Sequence, residues 1–178
     1  MNEYEFTLTF VLPAAVPADI DDVVERLGAA GCDDATVGIG RRGRLALAFT
    51  RDAETAGAAV RSALSDVRAA VPDARLAEAS PDLVGLSDVA ALLGVTRQNV
   101  RKLILAGDVP APVPVHEGKP TIWRLAKVLT WLRDEKRYLV RPELVEVACA
   151  TMQANLAVEA LDADGDTQRE LSALLANR

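Results

Sequence analysis

Tyr4, Phe6, Leu8, Phe10 and Leu12 alternate with Glu5, Thr7, Thr9 and Val11. A period of two predicts a half-buried strand, ended by Pro13 and Pro17. The period then changes. Ile20, Val23, Val24 and Leu27 recur at i, i+3, i+4 and i+7, the apolar stripe of a helix, with Asp19 as N-cap and Gly31 as stop. Val37 and Ile39 mark a second strand, Gly40-Arg41-Arg42-Gly43 a turn, and Leu45, Leu47 and Phe49 a third strand. Val60, Ala63, Leu64 and Val67 stripe a second helix closed by Pro72-Asp73, and Ala74 to Ala79 carry a fainter fourth strand.

The order βαββαβ is the split-βαβ, ferredoxin-like arrangement, an antiparallel four-stranded sheet with both helices on one face. It predicts a first domain over residues 1–80, serving dimerisation or binding a partner or ligand. After the linker Ser80-Pro81-Asp82 the pattern becomes helical. Leu86, Val89, Ala90 and Leu93 stripe a short helix capped by Ser87, and Gly94-Val95 turns into a second helix capped by Thr96 and ended by Gly107-Asp108. The prolines of Val109 to Val115 exclude helix there. His116 to Lys119 form a turn, Thr121-Ile122-Trp123 a return strand, and Leu125, Val128, Leu129 and Leu132 a further helix. Pro142, a favourable first-turn residue, opens a helix to about Leu161, with Val145, Cys149, Met152 and Leu156 along one face and Leu144, Val147 and Ala148 beside it. Leu171, Leu174 and Leu175 mark a last short helix. The expected fold class is α+β, with domains at 1–80, 81–141 and a C-terminal helical segment at 142–178 that packs on its neighbour or pairs with a second copy.

Composition narrows the function. Half of the 178 residues are hydrophobic, enough for a core, and no run of about 18 apolar residues predicts a membrane span. The acidic start lacks a signal pattern, so a cytoplasmic location is expected. A single histidine, His116, and two distant cysteines, Cys32 and Cys149, leave no triad, zinc pattern or cofactor motif. No metal, no cofactor and no enzymatic activity are therefore expected, and both cysteines read as small buried hydrophobes. The net charge of −6 at first argues against nucleic acid. By blocks, residues 1–80 carry 8 basic and 13 acidic side chains, residues 81–141 carry 10 and 6, and residues 142–178 carry 2 and 7. Screening over roughly 8 Å at physiological salt lets a central block of +4 meet phosphate while its acidic neighbours point away. The acidic C-terminal segment is also expected to cover the basic face when DNA is absent.

The central block holds the candidate chemistry. Ala90 is small where two helices must approach, Gly94 sits at a sharp reversal, and Val95, Val100 and Leu103 face inward. Arg97, Gln98, Asn99, Arg101 and Lys102 remain on the outer side. This is a helix-turn-helix pattern. The first turns of its second helix reach base edges in the major groove, where Arg suits guanine and Asn or Gln suits adenine. Asp88-Val-Ala-Ala-Leu-Leu-Gly-Val-Thr96, then Asp108-Val-Pro-Ala-Pro, Trp123-Arg124 and Val128-x-x-Trp131-Leu132 stand in order. Over residues 84–133 the chain resembles the winged helix-turn-helix domains of the AlpA, excisionase and MerR superfamily. That resemblance implies double-stranded DNA as partner, a recognition helix, a β-hairpin wing and a helix that dimerises on a palindromic operator. By position, Arg97, Gln98, Asn99 and Arg101 are assigned to base readout, and Thr96, Lys102, Lys119 and Arg124 to phosphate contacts, which fix register.

Three other motifs fail on context. Gly38-Ile-Gly-Arg-Arg-Gly43 matches a dinucleotide fingerprint in letters, but a strand follows where a helix is needed. Asp162-Ala-Asp-Gly-Asp166 lacks the glycine and glutamate of a calcium loop. Asp33-Asp34 reads as a loop. The leading expectation is a dimeric DNA-binding transcriptional regulator. The alternatives are an antitoxin or other protein-interaction module that neutralises a protein partner and autoregulates its promoter, and a small-molecule-sensing regulator acting through the N-terminal domain.

Overall fold

The computed structural model describes residues 1–13, 20–39, 43–105 and 109–176. The expected cap Asp19, the turn residues Arg41 and Arg42, and the stop Gly107-Asp108 lie outside them. The fold is mixed α+β.

Strand β1 (Asn2–Val11), helix α1 (Ile20–Ala29), strands β2 (Ala35–Ile39) and β3 (Arg44–Ala53), helix α2 (Ala56–Ala70) and strand β4 (Arg75–Ser80) make up the first 80 residues. The strands form one sheet in the order β2-β3-β1-β4, every neighbour antiparallel. Register places Phe6 opposite Phe49 and Leu8 opposite Leu47, so the alternation read in β1 becomes a continuous apolar face. Tyr4, Phe6, Leu8 and Phe10 are buried there against Val23 and Leu27 of α1 and Val60, Ala63 and Val67 of α2, each large side chain contributing about 1.5–3 kcal/mol of transfer free energy. The Phe6 and Phe49 rings stack at 5.2 Å. Gly31 ends the α1 turn at φ +99°, a left-handed conformation that favours glycine. The faint pattern of β4 has a cause. Its pairing with β1 slips between Thr9 and Phe10, so one inserted residue breaks the alternation.

The central region has a second, smaller core. Strand β5 (Leu83–Val84) pairs with β6 (Trp123–Arg124), and helices α3 (Leu86–Leu93), α4 (Arg97–Leu105) and α5 (Leu125–Asp134) surround Val89, Val100, Leu125, Leu129 and Leu132. β5 was not foreseen, since two residues have no period. The expected Ser87 cap also moves. Gly85 is the N-cap of α3, and its amide donates to the Asp88 carboxylate at 2.7 Å.

Helix α6 (Pro142–Asp162) joins the two cores. Val147 is buried in the first and Val145 and Ala148 in the second. The Tyr4 hydroxyl donates to Glu146 at 2.8 Å, and the Thr151 hydroxyl donates to the Pro81 carbonyl at 2.7 Å. The Asn155 carboxamide accepts from the Ala79 amide at 2.7 Å and donates to the Ala79 carbonyl at 2.8 Å, pairing with the edge of β4 as another strand would. The buried face of α6 is thus centred on Val145, Val147, Ala148 and Thr151, whereas Cys149 and Leu156 of the expected face are exposed. Apolar residues lie nearly all round this helix, so periodicity does not select a side. By length and mean hydropathy it also meets the measure of a membrane span. Helix α7 (Gly165–Leu175) buries no residue. Asp164 caps it, accepting from the Thr167 amide at 2.9 Å, and these hydrogen bonds hold its carboxyl below the usual range.

Candidate nucleic-acid interface

The α3–α4 pair is built from its turn outward. Gly94 has φ +65° and ends α3, its amide donating to Ala90 and Ala91 carbonyls. Val95 then donates back to the Ala90 carbonyl at 2.9 Å, the close of a left-handed cap. Ala90 and Val100 are buried at 4% and 1% exposure, so the two helices meet through a small residue and a β-branched one, with Val95 and Leu103 packed at the margin. The Thr96 hydroxyl oxygen accepts from the Asn99 amide at 3.2 Å and so starts α4.

That packing fixes which side of α4 faces out. Arg97, Gln98, Asn99, Arg101 and Lys102 are all exposed, and none of these side chains makes an ion pair or hydrogen bond among the described residues. Elsewhere on the surface, Arg26 pairs with Asp22, Arg133 with Asp134 and Arg169 with Asp166. The four expected base-reading residues and Lys102 therefore share one solvent-facing helix. Thr96 is exposed beside them, with its hydroxyl proton available to an acceptor.

The expected turn follows. Val115 and His116 donate to the Ile122 carbonyl at 2.8 and 3.3 Å, and Ile122 donates back to His116 at 3.0 Å. The Thr121 hydroxyl closes the turn on the Gly118 carbonyl. Lys119 and His116 are exposed on this hairpin. Trp123, 6% exposed, anchors its return strand in the second core.

Arg124 corrects the expectation of a phosphate contact. It is 7% exposed, its guanidinium bonded to the Asp82 carboxylate and, at 3.1 Å, to Glu159. Asn155 also donates to Asp82 at 2.7 Å. β6 turns the side chain inward at the junction of linker, second core and α6, where it neutralises a carboxylate that is 2% exposed.

The chain matches no family model, no curated protein and no solved structure.

Sequence reading missed a second buried arginine. Arg51 donates to both oxygens of Asp34 at 2.6 and 2.9 Å, to Asp66 at 2.7 Å, to Ser62 at 3.0 Å and to the Gly31 carbonyl at 2.7 Å. The Asp34 carboxylate and then Asp66 hold its pKa above even the usual guanidinium value. The loop reading of Asp33-Asp34 overlooked this clasp because the partners lie on different elements. Cys32 beside it is buried and its thiol is pushed up to about 11, chiefly by desolvation and then by Asp66. Cys149, expected inside, lies exposed in a groove with Trp131 and Met152.

Proposed function

We propose that the chain is a sequence-specific DNA-binding transcriptional regulator that acts as a homodimer on a palindromic operator. The observation that carries the reading is the solvent face of α4, where Arg97, Gln98, Asn99, Arg101 and Lys102 stand unpaired on a helix held by a tight glycine turn. On this reading residues 81–141 are a winged helix-turn-helix with the His116–Ile122 hairpin as wing, and residues 1–80 are a ferredoxin-like domain. The sheet order and the β1–α1–β2 crossover around β3 support the second assignment. The helix packing, the wing hydrogen bonds and the central block of positive charge support the first.

Base readout falls to Arg97, Gln98, Asn99 and Arg101, and phosphate contact to Thr96, Lys102 and Lys119. Dimerisation is supported by the C-terminal arm. Leu156, Leu161, Leu171, Leu174 and Leu175 are exposed, and an 11-residue helix that buries nothing is shorter than the ~12–15 residues at which isolated helices become even marginal. A second copy covering these leucines would supply the missing packing.

Fluorescence anisotropy on DNA from the protein's own promoter tests the reading. Arg97→Glu with Arg101→Glu should lower specific affinity at least about thirtyfold, since each bidentate pair is worth about 1–3 kcal/mol of discrimination, with the circular dichroism spectrum unchanged. Lys119→Ala should weaken binding to all sequences alike and flatten the salt slope by about one unit. Undiminished specific binding by the double variant would overturn the assignment.

A further inference from the structure

The sheet carries a second face, opposite the helices, and a cleft of about 460 Å³ lies between it and the winged region. Glu5, Thr50, Leu92 and Arg141 are exposed to solvent on it, and Thr7 and Ser80 are half-buried. Glu5 and Thr7 of β1, Thr50 of β3 and Ser80 of β4 line its floor, Leu92 of α3 one wall, and Arg141, the N-cap of α6, another. Glu5 is the register partner of Thr50, and Thr7 of Ser80, so the acid and the three hydroxyls stand side by side.

None of these five polar side chains makes a hydrogen bond or ion pair among the described residues, and Glu5 and Arg141 are not paired with each other. One cleft therefore holds an unpaired carboxylate, an unpaired guanidinium and three free hydroxyls, drawn from parts of the chain that folding alone brings together. A simple anion would meet Glu5 and a simple cation would meet Arg141. A metal ion lacks donors, since among the described residues no three His, Cys, Asp or Glu side chains gather to hold one. A ligand with both charges satisfies both walls.

We propose that this cleft binds a small zwitterion of amino-acid type. Its ammonium sits on Glu5, its carboxylate takes the two-pronged hydrogen bonding that a guanidinium offers, the hydroxyls complete its polar shell, and Leu92 meets its side chain. Leu92 belongs to the helix on which α4 packs, so the ligand ties the sheet to the helix pair. This regulatory consequence rests on the DNA-binding reading, whereas the site itself does not.

The test is thermal unfolding of the full chain with each standard α-amino acid at about 10 mM, a concentration that stabilises any site of lower Kd. Acetate and methylammonium serve as single-ended controls. At least one amino acid should raise Tm by several degrees, and neither control should. Glu5→Gln and Arg141→Gln should each abolish the shift while leaving the Tm of the free protein in place. No shift with any amino acid, or a shift that survives both substitutions, overturns the site. The Arg97→Glu, Arg101→Glu protein should keep the full ligand shift, which separates failure of the site from failure of the DNA-binding reading. With wild-type protein, the stabilising amino acid should change operator affinity about fivefold or more, the lower end of usual coupling; ligand binding with unchanged operator affinity would overturn the regulatory consequence.

Discussion

The sheet region and the helical region that follows it use arginine in opposite ways. In the sheet region Arg51 is closed inside a ring of acceptors, from Asp34, Asp66, Ser62 and a backbone carbonyl, and lies over the Phe49 ring at 4.9 Å. In the helical region Arg97 and Arg101 are left in solvent. An arginine satisfied within the fold has no hydrogen-bonding capacity to offer a ligand. An arginine held on a rigid helix without a partner keeps all five donors. Arg124 shows that region alone does not decide this, since it sits in the helical region yet behaves like Arg51. Burial and partners separate a guanidinium spent within the fold from one left free.

The two regions also differ in self-sufficiency. The sheet buries a long aromatic and aliphatic face, while the second core is assembled from helices of 8, 9 and 10 residues and is completed by α6. Truncation should expose that difference most strongly. A chain ending at Val140 loses Val145, Val147, Ala148, Thr151 and Asn155 and should show no cooperative unfolding of the second core by calorimetry. A chain ending at Ala163 loses only α7, which buries nothing. It should lose less than about 1 kcal/mol and, on the proposed dimer, become monomeric in analytical ultracentrifugation. Most of the acidic charge of residues 142–178 sits on α6, in Glu143, Glu146, Glu159 and Asp162, so removal of α7 leaves it in place.

The next effect is the contrast between the two buried arginines. Arg124→Ala strands Asp82, whose side chain is 1% exposed, and should cost about 3–5 kcal/mol in urea unfolding. Arg51→Ala leaves Asp34 and Asp66, whose side chains keep 28% and 27% exposure and so recover water. Its cost should be nearer 2 kcal/mol, the scale of charge-assisted hydrogen bonds. Equal costs would erase the distinction. Arg124→Met combined with Asp82→Met should recover most of the loss, because the stranded charge is gone.

The smallest effect concerns the cysteines. Native protein should give one thiol per chain to a disulfide-exchange reagent, Cys149, and a second only after denaturation, since Cys32 is buried. The Cys32 thiol is raised in the fold from 9.0 to about 11. Its protonated form is favoured by folding, so its contribution is complete below about pH 9 and is lost as pH rises to about 11. Over that window stability should fall, and Cys32→Ala should flatten the alkaline limb.

The sequence by itself determined the local elements. Period two in β1 and β3 and the i, i+3, i+4 stripes of α1, α2 and α5 arise from one-sided burial, which marks residue types wherever a single face is covered. Gly94 and Thr96 were legible because a left-handed turn and an N-cap are satisfied within a few residues of themselves. Only the tertiary structure decided the rest. The Arg124–Asp82 pair joins residues 42 positions apart and the Asn155–Asp82 bond residues 73 apart, and no local pattern records such partners. α6 is apolar nearly all round, so its buried side depended on which cores lay beside it. Glu5 and Arg141 share a cleft for the same reason. The hydrophobic effect is non-directional and fixes which residues leave water, while the pairing of charges depends on which elements then become neighbours.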